Sequence, residues 1–286
     1  NVSNSDDSQL MTKALASTSN IVDIHHAGTA MRFLAAYFSI QEGREVILTG
    51  SKRMKERPIK ILVDALQELG ADISYVENEG FPPIKIKGKK LTKNKVSLKA
   101  NVSSQYISAL LLVASKLENG LELTLNGEIT SIPYIKMTLS LLNEIGVESS
   151  FINNTINVKP KTQNSKPKTL TVESDWSSAS YYFSIVALSA IGTEITLTSY
   201  KENSLQGDSA LVDIYKTFGV VSTFKKNQLT LKKETLNLEP LTLNLQNAPD
   251  MLDVRIRAVI DAQDSGLLIY PKIGSYVLVG LINNAP

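Results

Sequence analysis

With 286 residues, 43% of them hydrophobic, the chain is long enough for two domains of ordinary size, each with its own core. Thirty lysines and arginines against 28 acidic residues leave a net charge of +2. This excludes a general attraction to nucleic acid or membrane, so any anion recognition has to be local. The absence of cysteine removes disulfides and thiolate metal sites, and two histidines leave little for a metal cluster.

The first helical signal is HHAGTAMRFL, where Gly28 and Thr29 open an apolar run that contains one arginine, Arg32. A buried ion pair is the ordinary reading of such an arginine. EVILTG (45–50) then reads as a strand. GSKRMKERPIKIL follows, with Pro58 expected at the first position of a helix and Arg53, Lys55 and Arg57 just before it. Cations there oppose the helix dipole unless an anion is also present, so the cluster points to an anionic ligand; the competing reading is a solvated charge run. The amphipathic stretch ILVDALQELGADI ends at Gly70, where a C′ glycine belongs, and IKIKG closes the unit as a strand.

The same order returns twice. Ser103 and Ser104 open the apolar helix of NVSSQYISALLLVA; LELTLNG is a strand; EITSIPYIKMTL offers Ser131 and Tyr134 around a proline; and Gly146 ends the next helix. Then come DWSSASYYFSIVALSA, TEITLTS, LVDIYKTFGVVST with Gly219, and QLTLKK. Gly28, Ser103 and Ser177 lie 75 and 74 residues apart, and Asp250, after the strand LTLNL, lies 73 residues beyond Ser177. Each unit is strand, helix, strand, helix, hairpin. The first helix of a unit is apolar nearly all round and should be enclosed, whereas the second has a polar face and should cover a sheet. Helices within and sheets without would bring several helix N-termini to one cleft, each an anion site by its free N–H groups and dipole. Taken singly, each small residue is also an ordinary N-cap, Asp250 included.

Together, HAGTAMRFL, GSKRMKERPI, VSSQYISALL, SIPYIKMTL, DWSSASYY and NSLQGD resemble the 5-enolpyruvylshikimate-3-phosphate synthase family, in the family's order. The resemblance implies an α/β fold: a two-domain inside-out α/β barrel built from repeated βαβαββ units, as in enolpyruvyl transferases, here divided as 1–168 and 169–286. It implies transfer of the enolpyruvyl group of phosphoenolpyruvate to the 5-hydroxyl of shikimate 3-phosphate with release of phosphate (EC 2.5.1.19), in the shikimate pathway to aromatic amino acids. No metal or organic cofactor, no nucleic acid and no membrane partner are implied, and the expected state is a monomer. By resemblance, Gly28 and Arg57 contact phosphoenolpyruvate, Ser103, Ser104 and Ser131 hold the shikimate phosphate, Gln105 stands between the substrates, Tyr134 supports the ring, and Asp250 is the proton acceptor. His26 and Phe33 depart from the family's usual asparagine and proline.

The family's early Lys-Ser motif and its later basic motifs have no counterpart in the sequence, and after about Ala262 the family's pattern is no longer followed. A fragment, or ordered pieces of a longer protein, is therefore expected, and the literal chain is expected to be inactive. Two alternatives stand beside the transferase: a phosphate-binding fragment without catalysis, and a related enolpyruvyl transferase with another acceptor, whose reactive cysteine is missing here. With no apolar run of about 18 residues and no basic, apolar leader, the expected compartment is the cytoplasm.

Overall fold

The computed structural model describes residues 3–129, 132–161 and 170–236 in full, and the backbone of strands 255–260, 265–270 and 280–282. The chain divides into two compact units, Asn1–Leu170 and Thr171–Pro286.

In the first unit the sequence repeat becomes a repeated sheet topology. After α1 (Asp6–Ala16) the elements are β1 (Ile21–Asp23), α2 (Gly28–Ser39), β2 (Glu45–Thr49), α3 (Lys52–Lys55), α4 (Lys60–Glu68), β3 (Asp72–Tyr75) and β4 (Ile84–Lys87). The second repeat is β5 (Lys95–Lys99), α5 (Ser104–Ala114), β6 (Leu121–Asn126), α6 (Ile132–Glu144), β7 (Ser149–Ile152) and β8 (Thr155–Val158). The two sheets run β1-β2-β4-β3 and β5-β6-β8-β7. In each, the first pair is parallel, with Ile21 opposite Ile47 and Lys95 opposite Glu122, and the remaining pairs are antiparallel. A parallel pair needs a crossover, which α2 and α5 supply; the hairpins β3-β4 and β7-β8 need only a turn.

The two helix types differ in burial as their sequences require. Helix α5 buries Tyr106, Ile107, Ser108, Ala109, Leu110, Leu111, Val113 and Ala114, and it packs against α2, α6 and α4. Helix α4 buries only Leu62, Val63, Ala65 and Leu66 and turns Lys60, Asp64, Gln67 and Glu68 outward. It ends at Gly70, whose φ of +105° lets Gly70 and Ala71 donate to the Gln67 and Leu66 carbonyls at 2.9 Å each. Gly146 repeats this after α6 at φ +86°.

Pro58 does not begin a helix. Residues Lys52–Lys55 form a short helix of their own, because Ser51 caps the Met54 N–H at 3.3 Å and Met54 is buried beneath it. The Ile59 N–H donates to the Gly80 carbonyl at 2.9 Å, and α4 starts only at Lys60. Arg57 consequently sits in a tight connection between two helices.

The second unit holds α7 (Trp176–Leu188), β9 (Glu194–Thr198), α8 (Leu211–Lys216), β10 (Val220–Lys225) and β11 (Gln228–Lys233), with sheet order β10-β11-β9. Its expected leading strand is absent among the described residues: before α7, Ser174 donates to the Ser199 carbonyl at 2.7 Å, but no ladder forms. Helix α7 is also less enclosed than expected. It buries Trp176, Ala179, Phe183 and Val186 against α8 and one sheet, leaving Tyr181, Tyr182 and Ile185 exposed. After Asp250 an N-cap reading would require a helix. Instead β12 (Arg255–Ile260), β13 (Ser265–Tyr270) and β14 (Gly280–Ile282) form an antiparallel sheet, because RIRAVI finds a six-residue partner in SGLLIY, Arg255 opposite Tyr270.

Candidate anion-binding site

Helices α2 and α5 begin without an acidic residue in the first turn and without a side-chain cap. Their first N–H groups are therefore unmet by side chains, which leaves the positive end of each helix dipole open to an anion. Ser103 is the N-cap residue of α5 but its hydroxyl bonds to no backbone N–H of the helix, so the capping reading fails for it. Ser103 is exposed and Ser104 and Gln105 are half-buried on the same first turn.

Gly28 is the first residue of α2, and its lack of a side chain makes room for two arginines. A Cβ placed there would meet Nη1 of Arg57 and come within 2.8 Å of Nη1 of Arg32. The basic cluster thus divides. Lys55 is paired with Glu77 at 2.6 Å, whereas Arg57 has no carboxylate at ion-pair distance among the described residues and lies over Gly28. Gly28→Ala is expected to push the Arg57 guanidinium aside and weaken binding of a small anion such as inorganic phosphate about tenfold, with the fold intact. Calorimetry against inorganic phosphate, alongside circular dichroism, checks this; unaltered affinity would mean that the close approach has no binding role.

Arg32 is only 6% exposed, yet no ion pair holds it. Its Nη1 donates to the Gly28 carbonyl at 2.6 Å, and its Nε has no partner. Burial first, and then the Arg57 guanidinium, lower its pKa, with Tyr106 opposing. The expected buried ion pair is therefore corrected: two guanidiniums face one another with no counter-ion among the described residues.

Side-chain hydrogen bonds tie these starts together. Gln105 Nε2 donates to Thr29 Oγ1 at 3.1 Å, joining the first turns of α5 and α2. The Tyr106 hydroxyl donates to the Pro58 carbonyl at 2.7 Å, fixing the connection that carries Arg57. Ser108 and Thr138 bond at 2.8 Å between α5 and α6, and Thr138 also donates to the Tyr134 carbonyl at 2.9 Å. Gly28, Arg57, Ser103, Ser104 and Gln105 are thereby gathered at the joined starts of α2 and α5, with half-buried Tyr134 in the first turn of the neighbouring α6. Ser131 and Asp250 lie outside the described residues.

The third helix start differs from the first two. Asp175 caps the Ser177 N–H at 2.9 Å, and Ser177 Oγ donates to the buried Asp208 at 2.9 Å. Gln206 accepts from the Trp176 N–H and donates to the Ser174 carbonyl, both at 2.9 Å. DWSS and LQGD thus hold each other, and two carboxylates occupy a place where an anion was expected. The departures at His26 and Phe33 are accommodated locally. His26 Nδ1 shares a 2.7 Å hydrogen bond with His25 Nδ1, and α2 runs unbroken through half-buried Phe33.

Sequence reasoning undervalued Arg32 and passed over Tyr106. A signal existed for the first: helical side chains lean toward the N-terminus, so an arginine four residues after Gly28 reaches back to the helix start. For the second, a tyrosine inside an apolar helix needs a partner for its hydroxyl, but only the fold shows that this is Pro58.

Fold and site together define an α/β protein of repeated units with a candidate anion site at paired helix starts. Residues 3–262 match the family model described as EPSP synthase (3-phosphoshikimate 1-carboxyvinyltransferase), and the chain belongs to that family. A 3-phosphoshikimate 1-carboxyvinyltransferase of Bacteroides fragilis is 49% identical over 232 residues, covering 81% of this chain and 56% of the relative. One from Haemophilus influenzae is 40% identical over 220 residues, covering 74% and 50%. A solved EPSP synthase from Acinetobacter baumannii shares the fold, with a TM-score of 0.64 and 20% identity over 82% of this chain and 52% of that one. The chain spans about half the length of these relatives.

Proposed function

We propose that this chain supplies the substrate-binding helix starts of an enolpyruvyl transferase that moves the enolpyruvyl group of phosphoenolpyruvate to the 5-hydroxyl of shikimate 3-phosphate and releases phosphate. The observation that carries this reading is the convergence of two guanidiniums on Gly28 with no carboxylate at ion-pair distance among the described residues, next to the Ser103-Ser104 start of α5, which has no side-chain cap. Phosphoenolpyruvate is a small multiple anion, and a permanently charged planar fork suits its carboxylate or phosphate oxygens. Ser103 and Ser104 add hydroxyl donors beside free helix N–H groups, a suitable seat for the shikimate phosphate. Ser131 joins them in this proposal, Gln105 lies between the two ligands, and Tyr134 supports the ring. The relatives' names, each 3-phosphoshikimate 1-carboxyvinyltransferase, favour this pair of substrates.

Asp250 is proposed as the base. A hydroxyl attacks poorly until its proton is taken, and a carboxylate within reach does this. On this reading the protein works as a monomer in the cytoplasm; no helix among the described residues is long and apolar enough to cross a membrane. No cluster of three or more histidine, aspartate or glutamate side chains is placed among them to hold a metal ion.

Calorimetry with each substrate, and phosphate release with both, test the proposal. Binding of shikimate 3-phosphate that Ser104→Ala weakens supports the assignment, and no binding of either substrate at millimolar concentration refutes it. Asp250→Asn is expected to lower turnover while leaving phosphoenolpyruvate binding in place; equal turnover would remove Asp250 from the chemistry.

A further inference from the structure

Arg32 stands inside the apolar helix α2, between core residues Met31 and Leu34, and a lone buried guanidinium there is costly. Three of its surroundings are specific. Its Nη1 holds the Gly28 carbonyl at 2.6 Å, which orients the first peptide of α2. Tyr106 is near enough to favour the charged form of Arg32, and the Tyr106 hydroxyl donates to the Pro58 carbonyl at 2.7 Å, directly after Arg57. Its Nε is buried and has no partner. The Arg57 guanidinium approaches the same point above Gly28 from the solvent side.

We propose that Arg32 is the positioning residue of the anion site: it fixes the Gly28 peptide and the Arg57 connection from within the core, and the bound anion balances its charge. The inference rests on the reading that phosphoenolpyruvate binds at Gly28 and Arg57, and it adds a buried second cation to that site. A helix core accepts this charge because an anion is meant to face it. Without an anion, Arg32 and Arg57 repel, which keeps the outer arginine free to meet the ligand.

Calorimetry and thermal unfolding of wild type, Arg32→Gln, Arg32→Lys and Arg57→Gln, each with and without phosphoenolpyruvate, test this. Arg32→Gln is expected to weaken phosphoenolpyruvate about ten- to a hundredfold, and Arg32→Lys less, since the charge is kept. The unliganded midpoint of Arg32→Gln should equal or exceed that of wild type, because an uncompensated buried charge has been removed. A purely structural arginine would do the reverse, lowering the unliganded midpoint while the phosphoenolpyruvate-induced rise persists, and that result overturns the proposal. Loss of affinity in Arg57→Gln with full affinity in Arg32→Gln would overturn this inference alone. Full affinity in both would refute the site itself. Should Arg32→Gln fail to fold, the Arg32 Nε–H resonance of labelled wild type decides: it moves on addition of phosphoenolpyruvate if the inference holds, and a resonance that stays in place overturns it.

Discussion

On the proposed function, Arg57→Gln is expected to weaken phosphoenolpyruvate by about 3 kcal/mol, about a hundredfold, and Arg57→Lys by about 1.5 kcal/mol. The difference follows from the shape of the guanidinium. The Arg57 guanidinium lies over Gly28, a helix start with no side chain, and its planar fork offers two N–H groups to two oxygens of one anion. Lysine keeps the charge but brings a single rotating ammonium, and glutamine keeps only a neutral donor. Arg57 is exposed, and no carboxylate competes for it among the described residues, so neither variant strands a buried partner. The unfolding midpoint should therefore stay near that of wild type while affinity falls. Calorimetry at two salt concentrations is the decisive measurement, because a solvated charge run would give equal affinity in all three proteins.

Trp176→Ala is expected to destabilise the second unit by about 3 to 5 kcal/mol. Trp176 is wholly buried at the start of α7, edge-on to Tyr200 at 5.1 Å and stacked near Phe183 at 6.5 Å. Its indole N–H also donates to Glu173 at 3.2 Å, and Glu173 accepts from Ser204 Oγ at 2.6 Å and from the Lys201 N–H. Truncation leaves a cavity in a small core and removes one bond from a hub of the α7 start. The core of the first unit is a separate cluster, so its strands should remain protected. Hydrogen exchange by mass spectrometry reads this directly: β9 to β11 lose protection, β1 to β8 keep it. Equal loss in both would show that the two cores do not unfold independently.

What the chain itself made legible was periodic. The 75-residue recurrence, the apolar first helices, the polar-faced second helices and their C′ glycines each reflect local propensity repeated in register, and the two four-stranded sheets follow from them. Six motifs also carried the family, and with it Gly28, Arg57, Ser103, Ser104 and Gln105 as a group. The tertiary structure decided what a residue's neighbours are. Arg32 in HAGTAMRFL reads as a candidate ion pair, because one-dimensional spacing does not reveal that no carboxylate among the described residues reaches it and that Arg57 does. The three small-residue helix starts look alike in sequence, yet the Ser103 hydroxyl caps no N–H of α5, whereas a long-range contact places buried Asp208 on Ser177. Likewise RIRAVI became a strand because SGLLIY, its paired residues 5 to 15 positions away, closed the ladder. Local propensity acts over one or two turns of chain, whereas Arg57 beside Arg32, Asp208 behind Ser177 and β2 beside β1 are supplied from tens of positions away, and those come together only on folding.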